Sequence, residues 1–88
     1  MVIMVLIFKH KTKTGNKYKK SIVGKPNNEE ESSKMINDIL EKRSFKPHYF
    51  RMWTKDFGGY DVTTIDFGSH TEFFYLVDEE HAKELLQH

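Results

Sequence analysis

Seven consecutive apolar residues, Val2-Ile3-Met4-Val5-Leu6-Ile7-Phe8, follow Met1, and Lys9 comes directly after them. Successive side chains of a strand point to opposite faces, so an apolar run without polar interruption marks a strand covered on both sides. The run is far shorter than the ~20 residues that carry a helix across a bilayer. It also lacks the basic lead segment and small-residue cleavage site of a signal peptide. It predicts an interior strand over residues 2–8 and no membrane association.

The remaining elements read off their punctuation. A second strand spans Lys17 to Val23, with Tyr18 and Ile22 on one side, and Gly15-Asn16 between the two strands suits a tight turn. Pro26-Asn27-Asn28 breaks that strand. Asn28 then suits an N-cap with Glu31 three residues on, a variant of the capping box. Glu29, Glu30 and Glu31 complement the positive end of a helix dipole, and Lys42 and Arg43 its negative end. Met35, Ile36, Ile39 and Leu40 form one apolar stripe, so the helix is expected over 28–43. Further strands are expected over 49–54, 60–66 and 72–77, separated by Asp56-Phe57-Gly58-Gly59 and Phe67-Gly68-Ser69-His70. Asp78 is placed to cap a last helix whose stripe is Ala82, Leu85 and Leu86, with Val77 and Ala82 as a hydrophobic staple.

The order is ββαβββα, an α+β fold in which a mostly antiparallel five-stranded sheet carries two helices. Helices on one face are the simplest packing. At 88 residues the chain forms one domain, 1–88. At this size roughly 60% of the unfolded surface is buried on folding. Mixed charges at 31% and aromatics at 14% speak against disorder. There is no cysteine, which excludes disulfides and thiolate metal sites and implies a reducing, cytoplasmic location.

A net charge of +1 conceals a polar distribution. Lys9, Lys11, Lys13, Lys17, Lys19, Lys20 and Lys25 stand in residues 1–28 without one acid, whereas residues 29–88 hold 13 acids. Lysines two apart share a face of an extended strand, so the hairpin reads either as a basic ribbon for phosphates or as a guarded sheet edge. Seven uncompensated lysines exceed what edge protection requires.

Tyr49, Arg51 and Trp53 alternate along one strand and share a face, leaving Phe50 and Met52 to the other. Phe50 and Met52 carry no polar atom to satisfy, which makes them the expected core residues. Tyr49, Arg51 and Trp53 are then expected on an open face. These three residue types are enriched at binding hot spots, and they also stack unpaired bases.

The carboxylates Asp56, Asp61, Asp66, Glu72, Asp78, Glu79 and Glu80 offer a negative surface, although Asp56, Asp66 and Asp78 have local turn and capping roles. Asp-Phe-Gly occurs twice, at 56–58 and 66–68, and reads as a turn, because no other kinase motif accompanies it. The five histidines lack the paired spacing of a zinc helix. Asp66, His70 and Glu72 lie around one turn, where surface placement outweighs metal binding as the reading.

With no catalytic residue, metal or cofactor expected, this short, lysine- and aromatic-rich chain resembles in style the small phage-encoded modulators of host proteins. That resemblance covers no specific motif. It implies a non-enzymatic module that inhibits or modulates a partner protein by occupying its surface, with Tyr49, Arg51 and Trp53 as partner-binding residues; a homodimer fits the same reading. The alternative is a nucleic-acid-binding module using Lys9, Lys11, Lys13, Lys17, Lys19 and Lys20 with the open aromatic face.

Overall fold

Val5, Leu6, Ile7 and Phe8 are all buried, at most 4% exposed, although consecutive members point to opposite faces of the sheet. A computed structural model describes residues 3–11, 17–47, 49–69 and 72–87. Val2, Lys13, the Gly15-Asn16 turn, His48, His70 and His88 lie outside the described residues.

The elements follow the expected order: β1 (Met4–Lys11), β2 (Tyr18–Gly24), α1 (Glu29–Lys42), β3 (Arg51–Asp56), β4 (Asp61–Asp66), β5 (Phe73–Asp78) and α2 (Glu79–Gln87). One sheet takes all five strands in the order β2-β1-β5-β4-β3, and every neighbouring pair is antiparallel. β1 is therefore interior, as its apolar run requires. β2 and β3 form the two edges.

The helices lie on opposite faces, which corrects the expectation that they share one. α1 lays Ile36 and Leu40 on Leu6, Phe8, Ile65, Phe67, Phe74 and Leu76. Across the sheet, α2 lays Ala82 and Leu85 on Val5, Ile7, Tyr60, Val62 and Val77. The physical reason is in the strands. β1, β4 and β5 are apolar on both faces, and helices on one side alone would leave Val5, Ile7, Val62 and Val77 in water. At about 25 cal/mol per Å² of apolar surface, that exposure would cost more than a small domain can lose.

The helix start follows its sequence signals. Asn28 Oδ1 accepts from the Glu31 N–H at 2.8 Å, while Glu31 Oε2 accepts from the Asn27 N–H at 2.6 Å, a capping box shifted by one residue. Ser32 is buried in line with Ile36 and Leu40, and its hydroxyl donates to the Glu29 carbonyl at 2.7 Å. At α2, the Asp78 carboxylate bonds to His81 Nδ1 at 2.8 Å instead of showing the expected main-chain cap.

The third strand is shifted from 49–54 to Arg51–Asp56. Its turn explains the shift. Asp56 pairs with Asp61, and the Phe57 N–H donates to the Tyr60 carbonyl at 2.8 Å, so the loop proper is only Gly58-Gly59. Both glycines have positive φ, +94° and +110°, which a two-residue hairpin loop needs.

Candidate functional site

The edge strand β3 is exposed at all six positions. Tyr49 is 44% exposed, Phe50 46%, Met52 42% and Trp53 37%. Tyr49, Arg51 and Trp53 are accessible, as the sequence predicts. Phe50 and Met52 are accessible too, which corrects their assignment to the core. Met52 pairs with Ile65 and so lies on the α1 face, but α1 is seated over β1, β5 and β4. A helix about 10 Å across covers only part of a five-stranded sheet whose strands are about 4.8 Å apart, and the edge strand is left uncovered.

Arg51 and Tyr49 are held in place by Asp66. Arg51 Nη2 donates to Asp66 Oδ2 at 3.1 Å across the β3–β4 pair, and the Tyr49 hydroxyl donates to the same oxygen at 3.4 Å. The Arg51 guanidinium lies over the Tyr49 ring, 5.0 Å from its centroid. The other oxygen, Asp66 Oδ1, accepts from the Gly68 N–H at 3.0 Å. Burial pushes the Asp66 carboxyl up, but the bonds from Gly68, Arg51 and Tyr49 outweigh it and hold it below the ordinary aspartate value. Sequence reasoning assigned Asp66 to its turn and missed this second role. The signal was present: Asp66 ends the strand that pairs with the aromatic–arginine segment.

Both Asp-Phe-Gly tripeptides are turns. Asp56 Oδ1 accepts from the Gly58 and Gly59 N–H groups at 3.0 and 2.7 Å, repeating the Asp66–Gly68 bond. Asp66 and Glu72 do not meet as ligands. Glu72 accepts from Arg43 Nη2 at 3.1 Å and from the Lys11 N–H at 3.1 Å. Among the described residues no group of three metal-ligating side chains converges.

The expected basic ribbon is divided between the two faces. Lys9 pairs with Lys20, and Lys11 with Tyr18, on the α2 face, whereas Lys19 pairs with His10 on the other. Lys20 donates to the Leu85 carbonyl at 3.1 Å, and burial followed by the nearby Lys9 charge lowers its pKa. Lys17 is exposed just before β2. The α2 face nevertheless gathers Lys9, Lys11, Lys20 and Arg51 around Tyr18, Phe73, Tyr75 and Trp53, with Tyr75 and Phe73 half-buried.

A concavity of about 640 Å³ opens beside α2 and is lined by Tyr60, Asp61, Asp78 and His81 among others. The Tyr60 and His81 rings stack at 4.5 Å, and the Tyr60 hydroxyl is buried without a hydrogen-bond partner among the described residues. The hydrogen bond to Asp78 raises the His81 pKa against partial desolvation. A histidine oriented by a carboxylate is a base with its support; among the described residues the lining adds no serine, threonine or lysine beside it.

Among the described residues no helix is long and apolar enough to cross a membrane. Comparison with protein-family models, with curated proteins and with solved structures returned no match.

Proposed function

We propose that this chain is a non-enzymatic protein-binding module that acts through β3, occupying surface on a partner and so modulating or inhibiting it. One observation carries the reading: among the described residues β3 has no outer neighbour in the sheet, and it exposes apolar side chains on both faces. An exposed apolar edge strand is a template for another chain, and natural proteins usually blunt such edges. Aromatic, arginine and methionine side chains, enriched at interfaces, here cluster on one strand.

The test is recovery of proteins from a cell lysate on the immobilised chain, with and without nuclease, beside a Met52→Lys, Trp53→Ala variant. Capture that survives nuclease and is lost in the variant supports the reading. Capture indifferent to the variant removes β3 as the surface.

The aromatic and basic side chains of the α2 face favour a second reading, single-stranded nucleic acid stacked on Tyr18, Phe73, Tyr75 and Trp53 with Lys9 and Lys11 on phosphates. Binding would then weaken with salt by about 0.7 in log affinity per log salt for each phosphate contact. Lys9→Gln with Lys11→Gln should flatten that slope. No binding by the wild type at low salt would dismiss this reading.

A further inference from the structure

We infer that the strand which fills the free edge of β3 is β3 of a second copy of this chain, paired antiparallel about a two-fold axis through Met52. The inference rests on the protein-binding reading of β3 and names its partner.

The hairpin fixes which backbone groups are free. The Phe57 N–H donates to the Tyr60 carbonyl, which places these two at a hydrogen-bonded position, and antiparallel ladders alternate such positions with open ones. Residues 55, 53 and 51 therefore bond to β4. Within β3 the N–H and C=O groups of Met52 and Thr54 turn outward. The Thr54 and Thr63 hydroxyls meet at 2.9 Å, as expected where side chains of an open pair approach most closely.

A two-fold axis normal to the sheet keeps each face continuous, so residues of like parity must stand opposite one another. Centring the axis on Arg51 opposes two arginines, and centring it on Trp53 opposes Arg51 to Lys55 twice. Like charges directly opposite are unfavourable. Centring on Thr54 sets Met52 against Asp56. Centring on Met52 leaves no conflict: Met52 meets Met52, Phe50 meets Thr54, Arg51 meets Trp53 and Tyr49 meets Lys55, each side pair occurring twice. Both basic residues then face aromatic rings, a favourable cation–π arrangement. Arg51 brings its own counter-charge in Asp66.

The opposite edge does not compete. β2 carries Lys19 and Lys20, with Lys17 just before it, so self-pairing there opposes lysines. Pairing of β2 with β3 would be head-to-tail and would grow into filaments, whereas the β3 pair closes after two copies. A net charge of +1 puts little long-range repulsion between copies.

Sedimentation across low micromolar to millimolar protein should show a monomer–dimer equilibrium. Met52→Lys should weaken it at least ~10-fold by opposing two charges at the axis. Because Met52 is exposed, that variant should keep the wild-type circular dichroism and Tm. Single-cysteine variants at 51, 52, 53 and 54 report the register in this cysteine-free chain. A hydrogen-bonded pair holds Cα atoms about 5.5 Å apart, inside the disulfide range of about 4.4–6.8 Å, so Met52→Cys should cross-link fastest under mild oxidation. A monomer at every concentration overturns the inference. So does a dimer that ignores Met52→Lys, or fastest cross-linking at any other position. If self-association is absent but a foreign protein is still captured through β3, the pairing fails and the protein-binding reading stands. If neither occurs, both fail.

Discussion

Arg51 and Asp66 face each other across the β3–β4 pair with Nη2 and Oδ2 3.1 Å apart, the guanidinium side 67% exposed and the carboxylate side 8% exposed. The asymmetry makes Asp66 the anchor and Arg51 the presented group. One carboxylate ties the exposed strand to its neighbour, the Tyr49 ring to the Arg51 guanidinium, and the Gly68 turn to the sheet.

Asp66→Ala should destabilise the fold by about 2 kcal/mol, because it leaves the Gly68 N–H and the Tyr49 hydroxyl without their acceptor. Arg51→Gln should cost less, since its side chain is mostly solvated and screened. Chemical denaturation of the two variants gives the order.

The depressed Asp66 pKa has a pH consequence of definite sign. The contribution is present above the ordinary aspartate value of about 3.9 and is lost as pH falls through the lower folded value. Asp66→Asn should therefore flatten the acid limb of the Tm–pH curve. An unchanged acid limb would show that the carboxylate is not held as described.

His81 has the opposite sign. Its folded pKa is raised, so its contribution is complete below about 6.5 and fades as pH rises through the folded value. As pH rises above about 6.5, Tm should fall more steeply in the wild type than in His81→Gln. Asp78→Asn should return the imidazole titration, followed by NMR, towards its ordinary position, since the Asp78 bond is the main cause of the rise.

The two-sided burial of β1 makes neighbouring residues equally sensitive. Val5→Asp and Leu6→Asp, on opposite faces, should each cost several kcal/mol, because each drives an unpaired charge into a closed cluster. Met52→Ser on the edge should stay within about 1 kcal/mol. Wild-type-like unfolding of either aspartate variant would show that one face of β1 is open.

Trp53 should be quenched by acrylamide in dilute solution, since more than a third of it is accessible. The quenching should fall as concentration rises and β3 becomes paired. A blue-shifted, unquenched emission in the dilute monomer would place the indole inside.

Local chemistry alone determined the element order, the antiparallel sheet, the interior place of the first strand and the start of the first helix. Val5 to Phe8 permit only burial on both faces, Asn28 and Glu31 satisfy helix N–H groups within a few residues of themselves, and Gly58-Gly59 supplies positive φ wherever the strands lead. The accessibility of Tyr49, Arg51 and Trp53 was legible as well, but not its cause. Alternation divides Phe50 and Met52 from Trp53 without saying how far a helix reaches across the sheet. Only the tertiary structure decided that: the opposite-face helices, the uncovered edge on both sides, the division of the lysines between faces and the gathering of Tyr49 and Arg51 on Asp66. Each depends on which strands become neighbours and where a 10 Å-wide helix is seated, and these are set by pairings between residues far apart in the chain, which no local pattern encodes.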